Sequence, residues 1–186
     1  MHNLIEEMQI RFHSVPEARA DSYIYDFWAA FTVPAGKQNG YNNMIGQILP
    51  LTNPSALGAG SLPQRTLNLP LILPHTRDTG VSLPTAALPY NEIQIFFQFR
   101  NWTQLLIRDN FTAGTSQNAV LADIEGGVAP SLTDVVCWAN YAIVSNHERK
   151  KMGQAPRDIV IEQFQTNHIQ TWVPSDTRQF SLTFSH

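Results

Sequence analysis

Six histidines, His2, His13, His75, His147, His168 and His186, are the side chains best suited to hold a metal or move a proton. None has a second histidine four residues on with a glutamate beside it, the spacing that sets two imidazoles around zinc on one helix face; His147-Glu148 has no such partner. A cupin-like site would instead draw ligands from separate strands, and His13, His168 and Glu162 are the set that could converge. Their scatter reads more simply as surface or hydrogen-bonded histidines. Glu6-Glu7 and Asp123 with Glu125 could supply the two carboxylates of a glycosidase, whose work depends on separation in space, but solvated turn carboxylates are the plainer reading. Cys137, the sole cysteine, lies within the apolar run 135–144 and is expected to be a buried, inert thiol. Arg77-Asp78 could pair in an active site, yet Asp followed by Thr79-Gly80 more simply makes a tight turn in which Gly80 supplies a positive φ. No Gly-x-Ser-x-Gly elbow, phosphate loop or dinucleotide fingerprint is found; Gly126-Gly127 is not followed by Lys-Ser/Thr. Asn101-Trp102-Thr103 and Asn110-Phe111-Thr112 match the N-glycosylation acceptor pattern, which acts only where the chain meets the modifying enzymes. No residue qualifies as catalytic, cofactor-binding or metal-ligating, so no cofactor is expected.

The elements that must position these groups follow from composition and period. A chain of 186 residues suffices for one domain with a sizeable core, burying roughly 70% of its unfolded surface. Charged residues are only 15%, against a usual share of about 25%, while 12 Pro and 10 Gly are spread along the chain, a mix that suits short strands and many turns. The formal charge of −3 and the short basic cluster Arg149-Lys150-Lys151 give no reason to expect direct nucleic-acid binding. One cysteine rules out an intrachain disulfide and points to a reducing compartment. No export signal opens the sequence, and the long uncharged run 38–64 is too rich in Asn, Gly, Ser and Pro to be a transmembrane segment.

Met8, Ile10 and Phe12 alternate with polar residues and predict a half-buried strand. Ile24, Phe27, Trp28 and Phe31 then recur at helical spacing, with Asp21 or Ser22 to cap the start and Pro34 and Gly36 to end it. Residues 41–66 have no period and read as a long irregular excursion. Leu67, Leu69, Leu71 and Leu73 alternate, with Pro70 and Pro74 on the other phase. Residues 93–99 give the clearest strand signal, and 135–144, apolar on both phases apart from Asn140, predicts a strand covered on both faces. Residues 157–165, with a bulge near Glu162 or Gln163, and 179–185 complete at least six strands. The expected fold is all-β, an antiparallel sandwich or jelly roll with one or two short helices in its connections.

The segment Leu69-Pro70-Leu71-Ile72-Leu73-Pro74, Arg77-Asp78-Thr79-Gly80, Leu83-Pro84, Leu88-Pro89-Tyr90-Asn91-Glu92-Ile93 resembles the signature of the iridovirus-type major capsid proteins of large icosahedral double-stranded DNA viruses. Met1-His2-Asn3, Gly40-Tyr41-Asn42-Asn43-Met44-Ile45-Gly46, Glu148-Arg149, Arg157-Asp158-Ile159-Val160-Ile161-Glu162-Gln163 and Phe184-Ser185-His186 resemble further motifs of that family in the same order. The usual aromatic run is replaced here by Ile72-Leu73-Pro74-His75-Thr76. The resemblance implies the first of two jelly rolls, residues 1–186 forming a single incomplete N-terminal domain that runs from strand D to strand I. In the sheets BIDG and CHEF, the loss of B and C would expose strand edges, so a partial chain would behave poorly alone. It further implies a structural, non-enzymatic subunit that self-assembles as a homotrimer into pseudo-hexagonal capsomers of the virion shell. Neighbouring capsomers and minor capsid proteins would be its partners and the host cytoplasm its place of assembly. Connections 34–66 and 101–132 would then face outward, carrying Asn101 and Asn110. A carbohydrate-binding or glycosidase-type β-sandwich is the alternative; it needs exposed aromatics, and with Trp28, Trp138 and Trp172 in patterns that look buried, Trp102 is its candidate.

Overall fold

In the computed structural model, which describes residues 1–53, 62–88, 90, 92–110, 113–156, 158–167, 171–182 and 184, β1 (Ile5–Phe12) lies between two antiparallel neighbours, β2 (Val15–Asp21) and β3 (Ile93–Phe99). Register explains why this sheet holds. Met8 and Ile10 stand opposite Phe97 and Ile95 on one side and Ala20 and Ala18 on the other, so their side chains share one apolar face. Gln9 and Arg11 stand opposite Phe96 and Gln94, so the reverse face is polar apart from Phe96, whose ring the Arg11 guanidinium covers at 4.5 Å. Register shifts at Ile5/Glu7 and Ile10/Arg11 let the apolar phase survive along β1. His13, in the left-handed region at φ 56°, turns the chain back into β2.

α1 (Ser22–Thr32) starts where expected, with the Asp21 carboxylate accepting from the Ile24 amide at 2.9 Å. Its buried residues, however, are Ser22, Tyr25 and Ala29, while Phe27 and Phe31 are 69% and 77% exposed. The helix has two apolar faces, and the one with the sheet beneath it carries the tyrosine. The excursion expected to be irregular contains α2 (Gln38–Ile45) and α3 (Leu49–Thr52). Gly46 ends α2 at φ +83°, and a Cβ there would lie 2.8 Å from a Leu67 methyl, so both backbone and space require glycine.

Residues 67–73 form no strand. Ile72 and Leu73 are both buried, which period two forbids, and the Thr76 hydroxyl donates to the Leu71 carbonyl at 2.6 Å to close a turn. Pro70 and Pro74 have no N–H to give a ladder, and that outweighs the leucine alternation. A 3-10 turn at Thr79–Val81 follows, capped by Asp78, whose carboxylate accepts from the Gly80 amide at 3.2 Å. Gly80 does not adopt a positive φ; a Cβ there would stand 3.0 Å from that carboxylate, a tight contact.

Beyond β3 come α4 (Trp102–Leu105), an exposed hairpin of β4 (Ile107–Asn110) and β5 (Thr115–Asn118), and α5 (Asn146–Gln154), whose start is capped by Ser145. Among the described residues, 135–144, 158–165 and 179–184 form no strand, so the bulge expected near Glu162 has no ladder to interrupt. Arg157, Ser185 and His186 lie outside the described residues, as do Pro89 and Asn91 of the signature segment. The antiparallel expectation stands, but the all-β one gives way to antiparallel sheets plus several helices.

One core results. Ile5, Met8, Ile10, Ala18 and Ala20 from the sheet meet Tyr25 from α1 and Ile72 and Leu73 from the proline-bounded loop. Fully burying an Ile or Met side chain contributes about 1.5–3 kcal/mol relative to leaving it exposed, so Met8 and Ile10 anchor this layer.

Candidate assembly surface

His2 is buried under α1. Its Nδ1 lies 2.6 Å from Asp26 Oδ1, its Nε2 lies 2.8 Å from the Tyr41 hydroxyl, and its ring stacks on Tyr25 at 5.6 Å. This network ties the sheet's entry to α1 and α2. Burial raises the Tyr41 phenol, with the charge of Asp26 adding to the rise, and pushes the Tyr25 phenol up to about 12 against an opposing backbone hydrogen bond at Ile72. Both hydroxyls therefore stay neutral in the core, Tyr25 donating to the Met8 sulfur at 3.3 Å. The polar atoms of this cluster are used in holding elements together.

The other titratable groups are dispersed. His13 takes a long contact from the Glu92 amide at 3.4 Å, His75 is lowered by burial, and His147 sits on α5. Glu162 pairs with Arg77 rather than with a histidine, and His168 lies outside the described residues. No group of His, Cys, Asp and Glu able to hold a metal occurs among the described residues. Glu7 accepts from Gln9 at 2.5 Å and faces Arg19, and Glu6 accepts from Gln98, so the Glu6-Glu7 pair is tied into the sheet's polar face. Asp123 is bound to Arg108 and to the Val120 amide, which leaves Asp123 and Glu125 as turn carboxylates. Cys137 is exposed rather than buried, because the run that carries it has no cover.

What the surface does offer is apolar area. Phe27 and Phe31 touch across one turn of α1 with centroids 5.1 Å apart. Beside them a groove of about 630 Å³ is lined by Trp28, Val33, Pro34, Tyr41, Met44 and Pro70. Trp138, Tyr141 and Ile143 are 88%, 80% and 99% exposed, and Trp172 is exposed against Phe180, so the expected burial of Trp138 and Trp172 fails. Trp102, the carbohydrate-binding candidate, is half-buried on α4. The sequence showed these residues as apolar but not that they face outward, since exposure is set by which neighbours are present.

Both sequon asparagines are exposed. Asn101 caps α4, its Oδ1 accepting from the amide and the hydroxyl of Thr103 at 3.1 Å each. Asn110 ends β4, its Oδ1 accepting from the Ala113 amide at 3.2 Å, while Phe111 and Thr112 lie outside the described residues. Arg149-Lys150-Lys151 lies on the solvated face of α5, and no helix among the described residues is long and apolar enough to cross a membrane.

Comparison with known proteins gives this surface a context. The family described as major capsid protein N-terminus matches residues 1–144. The major capsid protein of Invertebrate iridescent virus 3 is 53% identical over 193 aligned residues, covering 100% of this chain and 41% of that protein. Those of Lymphocystis disease virus 1 and Frog virus 3 are 42% and 34% identical over all of this chain and 40% and 41% of their own length. The chain thus spans about two fifths of the length of the curated relatives it matches. The matched residues include the His2 network, the whole β2-β1-β3 sheet and the apolar run that ends at Val144. This chain belongs to the family of the major capsid protein N-terminus.

Proposed function

We propose that this chain is part of a structural subunit of an icosahedral virion shell, contributing the N-terminal jelly-roll domain of a major capsid protein. The observation that carries this reading is similarity over the entire chain to proteins named major capsid protein. Broad exposed apolar surface suits a role built from protein contacts, and the titratable groups described are spent on structural links. Within this reading three subunits associate as a pseudo-hexagonal capsomer, and capsomers meet one another and minor capsid proteins. The site of action is the virion, with assembly in the host cytoplasm. Asn101 and Asn110, exposed and held by their Oδ1 atoms, are the positions that would carry glycan. Intact-mass measurement on virion protein decides this: added hexose mass lost in Asn→Gln variants supports it, and the bare polypeptide mass removes it.

The test of function is expression of the complete reading frame that contains this segment. Homotrimers by native mass measurement, with hexagonal outlines in negative stain, are expected. A stable monomer that binds on a glycan array would overturn the reading in favour of a carbohydrate-binding sandwich.

A further inference from the structure

Asn39-Gly40 is the one place in the sequence where glycine follows asparagine; every other asparagine precedes a larger residue. The pair occupies the second and third positions of α2, both residues are exposed, and a Cβ built on Gly40 would meet nothing within 4 Å. This turn is weakly held. Lys37 gives α2 no side-chain cap, the first turn has no acidic residue, and Asn39, Gly40, Asn42 and Asn43 make up half of its eight residues. In a helix, Asn is worse than Ala by up to about 0.7 kcal/mol and Gly by about 1 kcal/mol. The first four amides of a helix have no partner inside it, and the Gly40 N–H is one of them. A tie across the turn comes from exposed Asn43, whose Nδ2 donates to the Asn39 carbonyl at 2.9 Å and reaches the Asn39 Oδ1 only at 3.5 Å.

We propose that Asn39 is a site of spontaneous deamidation, gated by opening of the first turn of α2. Helical backbone angles hold the Gly40 nitrogen out of line with the side-chain carbonyl carbon of Asn39, so reaction waits for the turn to open. Once it opens, the Gly40 nitrogen gives its proton to solvent base and bonds to the Asn39 Cγ, and the side-chain nitrogen leaves as ammonia. Glycine, with no Cβ, does not obstruct this approach. Water then opens the cyclic imide. Breaking the bond from nitrogen to the side-chain carbonyl gives aspartate, and breaking the bond to the main-chain carbonyl gives isoaspartate. The two products act on α2 in opposite directions. Aspartate places a carboxylate in a first turn that lacks one, where the helix dipole favours negative charge. Isoaspartate adds a backbone methylene two residues before Tyr41, whose hydroxyl lies 2.8 Å from His2 Nε2, and so loosens the anchor of α2 on the core.

The inference stands apart from the shell reading and is tested on the complete protein that carries this segment. After incubation in mildly alkaline buffer, peptide mass mapping should show amide-to-acid conversion at Asn39 at least about tenfold faster than at Asn43, which is exposed on the same helix but followed by Met44. Urea should raise the Asn39 rate, because it removes the opening step. Gly40→Ala, which the open space at Gly40 accommodates, should slow conversion at least about tenfold without lowering the unfolding midpoint, since Ala is the better helix former. Hydroxylamine, which attacks the cyclic imide, should cut the chain between Asn39 and Gly40 and spare the Gly40→Ala variant. Equal rates at Asn39 and Asn43, a rate unchanged by Gly40→Ala, or one unchanged by urea would each overturn the proposal.

Discussion

Two regions with similar apolar sequences have opposite fates. In β1, the alternating residues Met8 and Ile10 are fully buried because α1 and the loop at Ile72 and Leu73 close over them. In residues 135–144, which are more apolar still, Trp138 and Ile143 stand almost wholly in solvent. Hydrophobicity decides which side chains seek cover; topology decides which receive it. Burial stabilises only where a second surface is supplied.

That contrast is open to direct attack. The largest effect should come from Tyr25→Ala, which empties the position where helix, sheet and His2 network meet. A loss of about 3–5 kcal/mol is expected for truncating a buried aromatic, read by urea denaturation, and a loss below 1 kcal/mol would mean that α1 does not close the core. Alkaline pH should strain the same position. The folded-state phenol is raised above its ordinary value of 10.0 to about 12, so its contribution is fully present below pH 10 and is lost as pH rises toward 12. The whole contribution is about 2–3 kcal/mol, since each pKa unit is about 1.4 kcal/mol. Tyr25→Phe should flatten this part of the stability profile, and an unchanged alkaline decline would assign it elsewhere. Gly46→Ala forces a side chain into the left-handed region and against Leu67, and about 1–3 kcal/mol should be lost. Removing the cap with Asp21→Ala should cost about 1 kcal/mol. At the other extreme, Phe31→Ser on the exposed face of α1 should move stability by no more than about 0.5 kcal/mol. A larger loss would show that this face is covered by another surface in solution.

Much of the sheet was readable in advance. Residues 8–12 alternate strictly and 93–99 alternate except at Phe96, and both are strands in register. The Asp21 cap was legible because a short acceptor preceded a helical stripe. β2 was not, since its inward residues Ala18 and Ala20 give almost no hydrophobic contrast and it forms only by pairing with β1. Residues 67–73 deceived in the opposite way, because a leucine alternation outweighed two prolines whose missing N–H groups exclude a ladder. The face of α1 that packs inward was likewise hidden: Phe27 and Phe31 look like core residues until Tyr25 and its contact with Met8 are seen. The motifs marked the family but not a site, because contacts that build a shell carry no fixed spacing of reactive groups.

Hydrogen exchange followed by mass spectrometry, on the complete protein that carries this segment, compares the two regions in one experiment. Protection of the amides in residues 135–144 approaching that of β1 is predicted, since an apolar run covered by neighbouring protein in an assembled shell would be withdrawn from solvent. Exchange in that run at the rate of an unstructured peptide, while β1 stays protected, would contradict the proposed assembly.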